Sequence, residues 1–384
     1  LHPVAHSFPT RRSSDLYSPP NTDDPIGDIY LMGTTWYEVQ HNCGCGRMIQ
    51  VDNDGWVHSS WTSAYDASYN QRHIHYQLID PQGNLFTPGG VIVNQSIKAG
   101  YTVIDLFPDN RAMPVYHHQT TGPNYHSALG YDYLPRSGAF SSADLPWVYH
   151  YGEDLKVEWP HMAAAYDSSF HIVSTLNPPD SLGLGSLRPL YYCRAVYDQA
   201  SYTLNFYDQF GANQQEPFDT TVNIATEVAG SPVSNRVAIV WIEPFATDVD
   251  TTQYDNNVYA VISDNGTTFD WSNPINVTNF IGPDPSYLPD TTLANRDTLR
   301  AYCDICPFFD QNDRLHLIFT TRGYYHYSGT ISRGNSFIWH WDEDNREFSI
   351  VASGWMDHGV YEPGAWNVYA SRSSAGIDPV TGDI

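Results

Sequence analysis

Lysine is almost missing from this chain: Lys98 and Lys156 are the only two in 384 residues. Lysine and arginine together number 18 against 43 aspartates and glutamates, a formal net charge of −25. That balance excludes nucleic acid as a partner, because phosphates demand basic surface. No run approaches the ~18 apolar residues of a membrane helix, so no membrane span is expected. Long amphipathic helices are absent too, since Pro, Gly and Asn interrupt every stretch of suitable length. Cysteine is sparse and odd in number: Cys43 and Cys45 form a C-x-C, Cys303 and Cys306 a C-x-x-C, and Cys193 stands alone. A chain of this length needs no disulfide framework for stability.

What is present is apolar and aromatic residue, 41% and 14% of the chain, enough for a sizeable core. Acidity with abundant Tyr, Trp, Asn, Asp and Gly fits a secreted bacterial surface protein, so an extracellular location is expected. Residues 7–16 back-translate to a synthetic sequencing adaptor, and residues 1–16 are set aside as an artefactual leader. Residues 378–384 read as a turn leading into a strand that does not follow. The expectation is therefore a fragment, with residues 17–384 forming one domain.

Within that domain a unit repeats. Met48 to Asp52 precedes a turn at Asn53-Asp54-Gly55 and a strand from Trp56 to Trp61. His161 to Asp167 precedes a turn at Ser168-Ser169 and a strand from Phe170 to Val173. Pro307 to Asp310 precedes a turn at Asn312-Asp313 and a strand from Leu315 to Phe319. Asp109-Asn110-Arg111 and Ser234-Asn235-Arg236 open two further units, and the turn near Gly382 a sixth. Asn, Asp and Gly suit such turns because they tolerate left-handed backbone or bond their own main chain. A third strand alternates: Ile74, Tyr76 and Leu78 stand on one face, His73, His75 and Gln77 on the other. Four short strands per unit, all-β, indicate a β-propeller of six or seven four-stranded blades with the last one cut short. Gly27 to Tyr37 is expected to close the ring as the outer strand of that last blade. A pair of β-sandwich domains is the alternative.

Ser263 to Trp271, SDNGTTFDW, contains Asp264, Gly266, Thr268 and Phe269 in the pattern D-x-G-x-T-F. With the recurring turn-and-strand units, it resembles the sialidase-like Asp-box (BNR repeat) propellers of secreted bacterial proteins. The resemblance implies a structural hairpin between the third and fourth strands of a blade, with Asp264 accepting main-chain N–H groups, Gly266 at positive φ and Phe269 wedged into the packing. It also implies, for an active sialidase, three arginines around a carboxylate, a Tyr nucleophile assisted by Glu and an Asp acid/base. The matching positions would be Arg47, Arg300 and Arg372, with Tyr361 and Glu362. Arg47 lies in Gly46-Arg47-Met48-Ile49, without the aromatic residue and the proline of the family's motif.

His58, His171 and His316 recur at one position and read as hairpin packing. Four thiolates from Cys43, Cys45, Cys303 and Cys306 would suit zinc. Free thiols or a disulfide within each pair is the plainer reading, and no cofactor or metal is expected. The expected role is a non-catalytic propeller that presents one face to a glycan or an extracellular protein through Arg47, Trp159, His161, Arg300, Tyr302 and Trp366, where inner strands begin. A sialidase-type glycoside hydrolase and a structural spacer are the alternatives.

Overall fold

Aspartate turns set where strands end. Asp52 Oδ1 accepts the N–H groups of Asp54 and Trp56 (2.9 and 3.0 Å), and Asp310 Oδ1 those of Asn312 and Arg314 (2.8 and 2.9 Å). Gly55 takes φ 82°, a conformation that costs glycine little. Each turn is locked to the strand after it. His58 joins Asp52 (3.2 Å) to Tyr76 (2.8 Å), and His171 meets Tyr192 (2.9 Å). His316 meets His340 (2.8 Å) and lies 3.4 Å from Asp310. The three recurring histidines therefore tie a first-to-second strand turn to the third strand.

The computed structural model describes residues 28–42, 44, 46–120, 124–244, 256–279, 299–325, 330–354, 368–378, 381, 382 and 384, with backbone alone at 323–325 and 330–335. Contacts divide the chain into two compact units, Leu1–Leu31 and Met32–Ile384. In the first, the Tyr30 hydroxyl donates to Asp28 (3.4 Å). All that follows concerns the second.

Among the described residues it is all-β apart from one 3-10 turn, Asp180–Leu182, and no helix is long and apolar enough to cross a membrane. The strands form successive antiparallel sheets. The first holds Ile49–Val51, Val57–Ala64, Arg72–Ile79 and Val91–Ile92; the second Ala99–Leu106, Ala112–Gln119, Tyr125–Asp132 and Phe140–Asp144. The third is built on Glu153–Ala164, Ser169–Asn177, Arg188–Asp198 and Thr203–Tyr207, with Val148–His150 and Glu216–Thr221 added. The fourth holds Thr226–Gly230, Val237–Pro244, Asn256–Ser263 and Ile275–Asn276; the fifth Leu299–Phe309, Leu315–Tyr325, Thr330–Asp342 and Phe348–Ser353. One residue pair, Asn256 with Ala301, bridges these last two.

The cores show how the sheets stack. Ile74, Tyr76 and Leu78 of the first pack on Ile104 and Tyr116 of the second. Met113, Val115 and Leu129 of the second pack on Phe170 and Ile172 of the third. In the fourth, Val237, Ile239 and Trp241 face the third sheet, and Ala238, Val240 and Ile242 face the fifth. Strand alternation thus feeds one parity of side chains into each neighbouring interface. A sandwich has one interface between two layers; here each inner sheet has two, which is propeller packing.

Two expectations need correction. Gly27 to Tyr37 is not an outer strand: its described residues carry no strand, and Thr35 and Trp36 hydrogen-bond along the first sheet, to Thr62 and Ala64. In the hairpin 263–271 it is Asn265, not Asp264, that accepts the main-chain N–H groups, those of Thr267 and Thr268 (both 2.9 Å). The Asp264 side chain is 90% exposed, 3.3 Å from Arg236. Gly266 has φ 68°, Thr268 bonds to Asn265, and Phe269 is buried against Tyr192 and Trp271.

Candidate functional site

The mouth, where inner strands begin, is built by breaks in strand register. From Gly100 to Val103 the second sheet's inner strand advances three residues while its partner advances two, from His117 to Val115. Glu158 to His161 stands likewise against Thr175 to Val173 in the third sheet, and Ala301 to Ile305 against Thr321 to Phe319 in the fifth. Such bulges leave residues outside the ladder and re-aim side chains. Tyr101 and Trp159 occupy the first two, with φ 56° and 50°, where bulky residues are rare.

His117 is the hub of what they assemble. Its ring lies 5.0 Å from Tyr101, 5.5 Å from Tyr125 and 6.1 Å from Trp159, edge to face. The Trp159 N–H donates to His117 Nδ1 (3.3 Å), which puts the ring proton on Nε2. Burial, and then the charge of Arg72, drives the imidazole down to about 3, so it stays neutral. Glu158 Oε2 lies 3.7 Å from that Nδ1, and Asn177 donates to Glu158 Oε1 (3.4 Å). Burial lifts the Glu158 carboxyl to about 7, although the Asn177 amide and the charges of Lys156, Arg188 and Arg72 pull it down. Such a group holds or releases a proton near neutrality.

Arg72 lies 4.6 Å over the Tyr37 ring, and the Tyr37 and Tyr101 hydroxyls share a 2.9 Å hydrogen bond. Burial, then that bond, raises the Tyr101 phenol. Next to Tyr37 the surface is aromatic. Tyr69 meets its ring edge-on at 5.5 Å, and Trp36, Tyr65 and Tyr69 are 61%, 51% and 39% exposed. Exposed flat rings of this kind bury well against another flat apolar surface.

The positions read from sequence are distributed otherwise. Trp159 is half-buried, at the hub. His161 is buried, its Nδ1 2.9 Å from Glu227 without hydrogen-bond alignment, beneath Gly44 and Gly46. Arg47 and Arg372 line one cavity of about 590 Å³ with His41. Arg300 is buried, donating to its neighbour's carbonyl at Leu299 (2.9 Å), and does not line that cavity with them. Tyr302 is buried with Cys303 and Val368 under the Arg322 guanidinium, not displayed for a ligand. Tyr361, Glu362, Trp366, Cys43 and Cys45 lie outside the described residues. Cys306 is a free thiol raised by burial, so the C-x-x-C is not a disulfide. Among the described residues no group of three or more His, Cys, Asp or Glu is arranged to hold a metal ion.

No family model and no curated protein matches the sequence. Among solved structures the chain is similar to a polysaccharide lyase (10% identity, covering 85% of each chain, TM-score 0.44). It is similar also to an ulvan lyase (9% identity, 83% of this chain and 72% of that one, TM-score 0.49) and to an endo-arabinase from Bacteroides thetaiotaomicron (9% identity, 80% and 96%, TM-score 0.39). All three are glycan-processing enzymes, not non-catalytic binding modules of the kind expected for this chain. The likeness is one of fold.

Sequence reasoning missed Glu158, His117, Tyr101, Arg72 and Tyr37. One signal was present. Leu155 and Val157 are buried at odd positions, Met162 at an even one. That parity switch marks a bulge at Glu158 to His161, where a side chain is re-aimed.

Proposed function

We propose that this chain cleaves glycosidic bonds of a polysaccharide at the mouth of its first three sheets, with Glu158 as the proton-transferring group. The observation that carries the reading is the Glu158 carboxyl itself. It is buried, 3.7 Å from a neutral His117, beside Tyr101 and Trp159, and burial lifts it to about 7. Titratable groups perturbed in this way cluster at catalytic sites. Hydrolysis of a glycosidic bond requires a proton for the departing oxygen, which a carboxyl still protonated near neutrality supplies; water then bonds to the sugar carbon, and the proton it sheds restores the Glu158 carboxyl. Tyr101, held by Tyr37, and the Nε2–H of His117 are donors that orient the sugar, while Trp159 and the exposed ridge of Trp36, Tyr65 and Tyr69 offer flat apolar faces. A polymeric glycan substrate places this work outside the cell, in keeping with the composition.

The test is the release of new reducing ends from a panel of polysaccharides. The wild-type rate should fall as pH rises through about 7, the carboxyl's own range. Glu158→Gln should cost roughly 10²–10⁴-fold. Undiminished cleavage by Glu158→Gln, or no cleavage of any polymer by the wild type, defeats the reading.

A further inference from the structure

We infer that the glycan taken at this mouth is anionic and that Arg72 holds its acidic group. The inference rests on the reading of the mouth as a glycan site and names the substrate class.

This acidic protein distributes its few cations unevenly. At the turn end Arg111, Arg136, Arg194, Arg236 and Arg314 each lie against a carboxylate, and Arg346 is the exception. At the mouth end the pattern inverts. Among the described residues, Arg72, Lys98 and Lys156 form no ion pair. With 43 acidic side chains against 18 basic ones, contact partners are plentiful, yet the carboxyl these cations act on, Glu158, is in ion-pair contact with none of them, so their contact positions are open to an anion from outside.

The cluster is local. Arg72 bridges in parallel to Lys98, and its N–H donates to the Ile97 carbonyl (2.9 Å). Lys156 stands opposite Asn177, and Arg188 donates to that asparagine's Oδ1 (3.3 Å) while lying 5.5 Å over Trp159. Both known chains of contact lead to Glu158: through Asn177 on one side and through Tyr37, Tyr101 and His117 on the other. Arg72 carries a second sign. Its Nε is buried without a hydrogen-bond partner among the described residues, and an unmet buried donor is costly. A carboxylate or sulfate accepting from the guanidinium fork would meet it, with the planar match that lysine lacks. The net charge of −25 does not oppose this, because salt screens charges beyond about 8 Å and leaves the local cluster to decide.

The experiment compares matched polymers by affinity electrophoresis and by initial rate: polygalacturonate against its full methyl ester, and a sulfated galactan against the same galactan desulfated. At least one charged polymer should be bound better than its neutralised twin, by roughly tenfold or more for one charge-assisted hydrogen bond. The polygalacturonate pair reports a carboxylate and the galactan pair a sulfate. Arg72→Ala should abolish the preference so that twins bind alike, and Arg72→Lys, which keeps charge without the fork, should restore part of it. Equal binding of both twins in both pairs, or no binding of either charged polymer, overturns the inference. Binding preference without cleavage by the wild type would instead remove the catalytic reading and leave this one standing.

Discussion

The two ends of the inner strands use the same residue types for opposite purposes. At the turn end a carboxylate, a histidine and a tyrosine close on one another: Asp52, His58 and Tyr76 satisfy each other with Arg136 added on top. At the mouth a carboxylate, a histidine and two tyrosines are also gathered, yet Glu158 and His117 are left at 3.7 Å and Arg72 with an unmet donor. Asp52 stays below its ordinary range: burial pushes it up, but the Trp56 N–H, His58 and Arg136 outweigh that. Glu158 rises because burial meets too few partners. A satisfied polar cluster is structure; an unsatisfied one is available for chemistry.

The sharpest break of that comparison is a pair of variants. Glu158→Gln should lose roughly 10²–10⁴-fold of cleavage and leave the urea midpoint unchanged or higher, since a neutral amide replaces a buried acid. Asp52→Ala should do the reverse. It removes the acceptor of two N–H groups and one partner each of His58 and Arg136, which keep Tyr76 and Asp54, and should cost about 3 kcal/mol in urea unfolding while the folded fraction keeps its activity.

Third in size is Gly46→Ala. A Cβ there would collide with Val103 Cγ2 and come within 3.1 Å of His161 Nδ1. Forcing that packing should cost about 1–3 kcal/mol, read from thermal unfolding.

A pH series sharpens the contrast further. Asp310, lowered below its ordinary value by its Arg314 and Asn312 bonds against the effect of burial, contributes stability above about pH 4 that is lost as pH falls through its folded value. Glu158 and Glu243, both raised to about 7 by burial, keep a proton that the unfolded chain sheds. They should make stability decline between about pH 4.5 and 7. Glu158→Gln should flatten only the neutral slope, and an unchanged slope would count against the buried acid. The smallest effect belongs to Arg194→Ala. It removes a partly exposed pair with Asp167 at 3.8 Å and should cost about 0.5 kcal/mol.

Much of the turn end was legible in advance. The turns at Asn53 to Gly55 and at Asn312-Asp313, the strands after them and the packing role of His58, His171 and His316 all follow from short-range chemistry. The hairpin at 263–271 was placed between the right strands, but the bonding residue was misassigned, because Asp264 and Asn265 are both competent acceptors and only the turn's geometry chooses. The mouth was legible only in outline. Trp159 was named, whereas Glu158 beside it was not, since one acidic residue among 43 carries no mark of burial. Tyr302 was named for the opposite reason: an aromatic residue at an inner-strand start reads as exposed until packing with Val368 covers it.

The sequence by itself determined the all-β architecture, the strand-and-turn units and which parity of each strand is apolar, because these depend on neighbours within a few residues. Tertiary structure alone decided which carboxyl would be protonated and which cations would be left without an anion. Those outcomes require bulges in separate sheets to bring residues as distant as Tyr37, Arg72, His117 and Glu158 to one place, and burial there sets their charge.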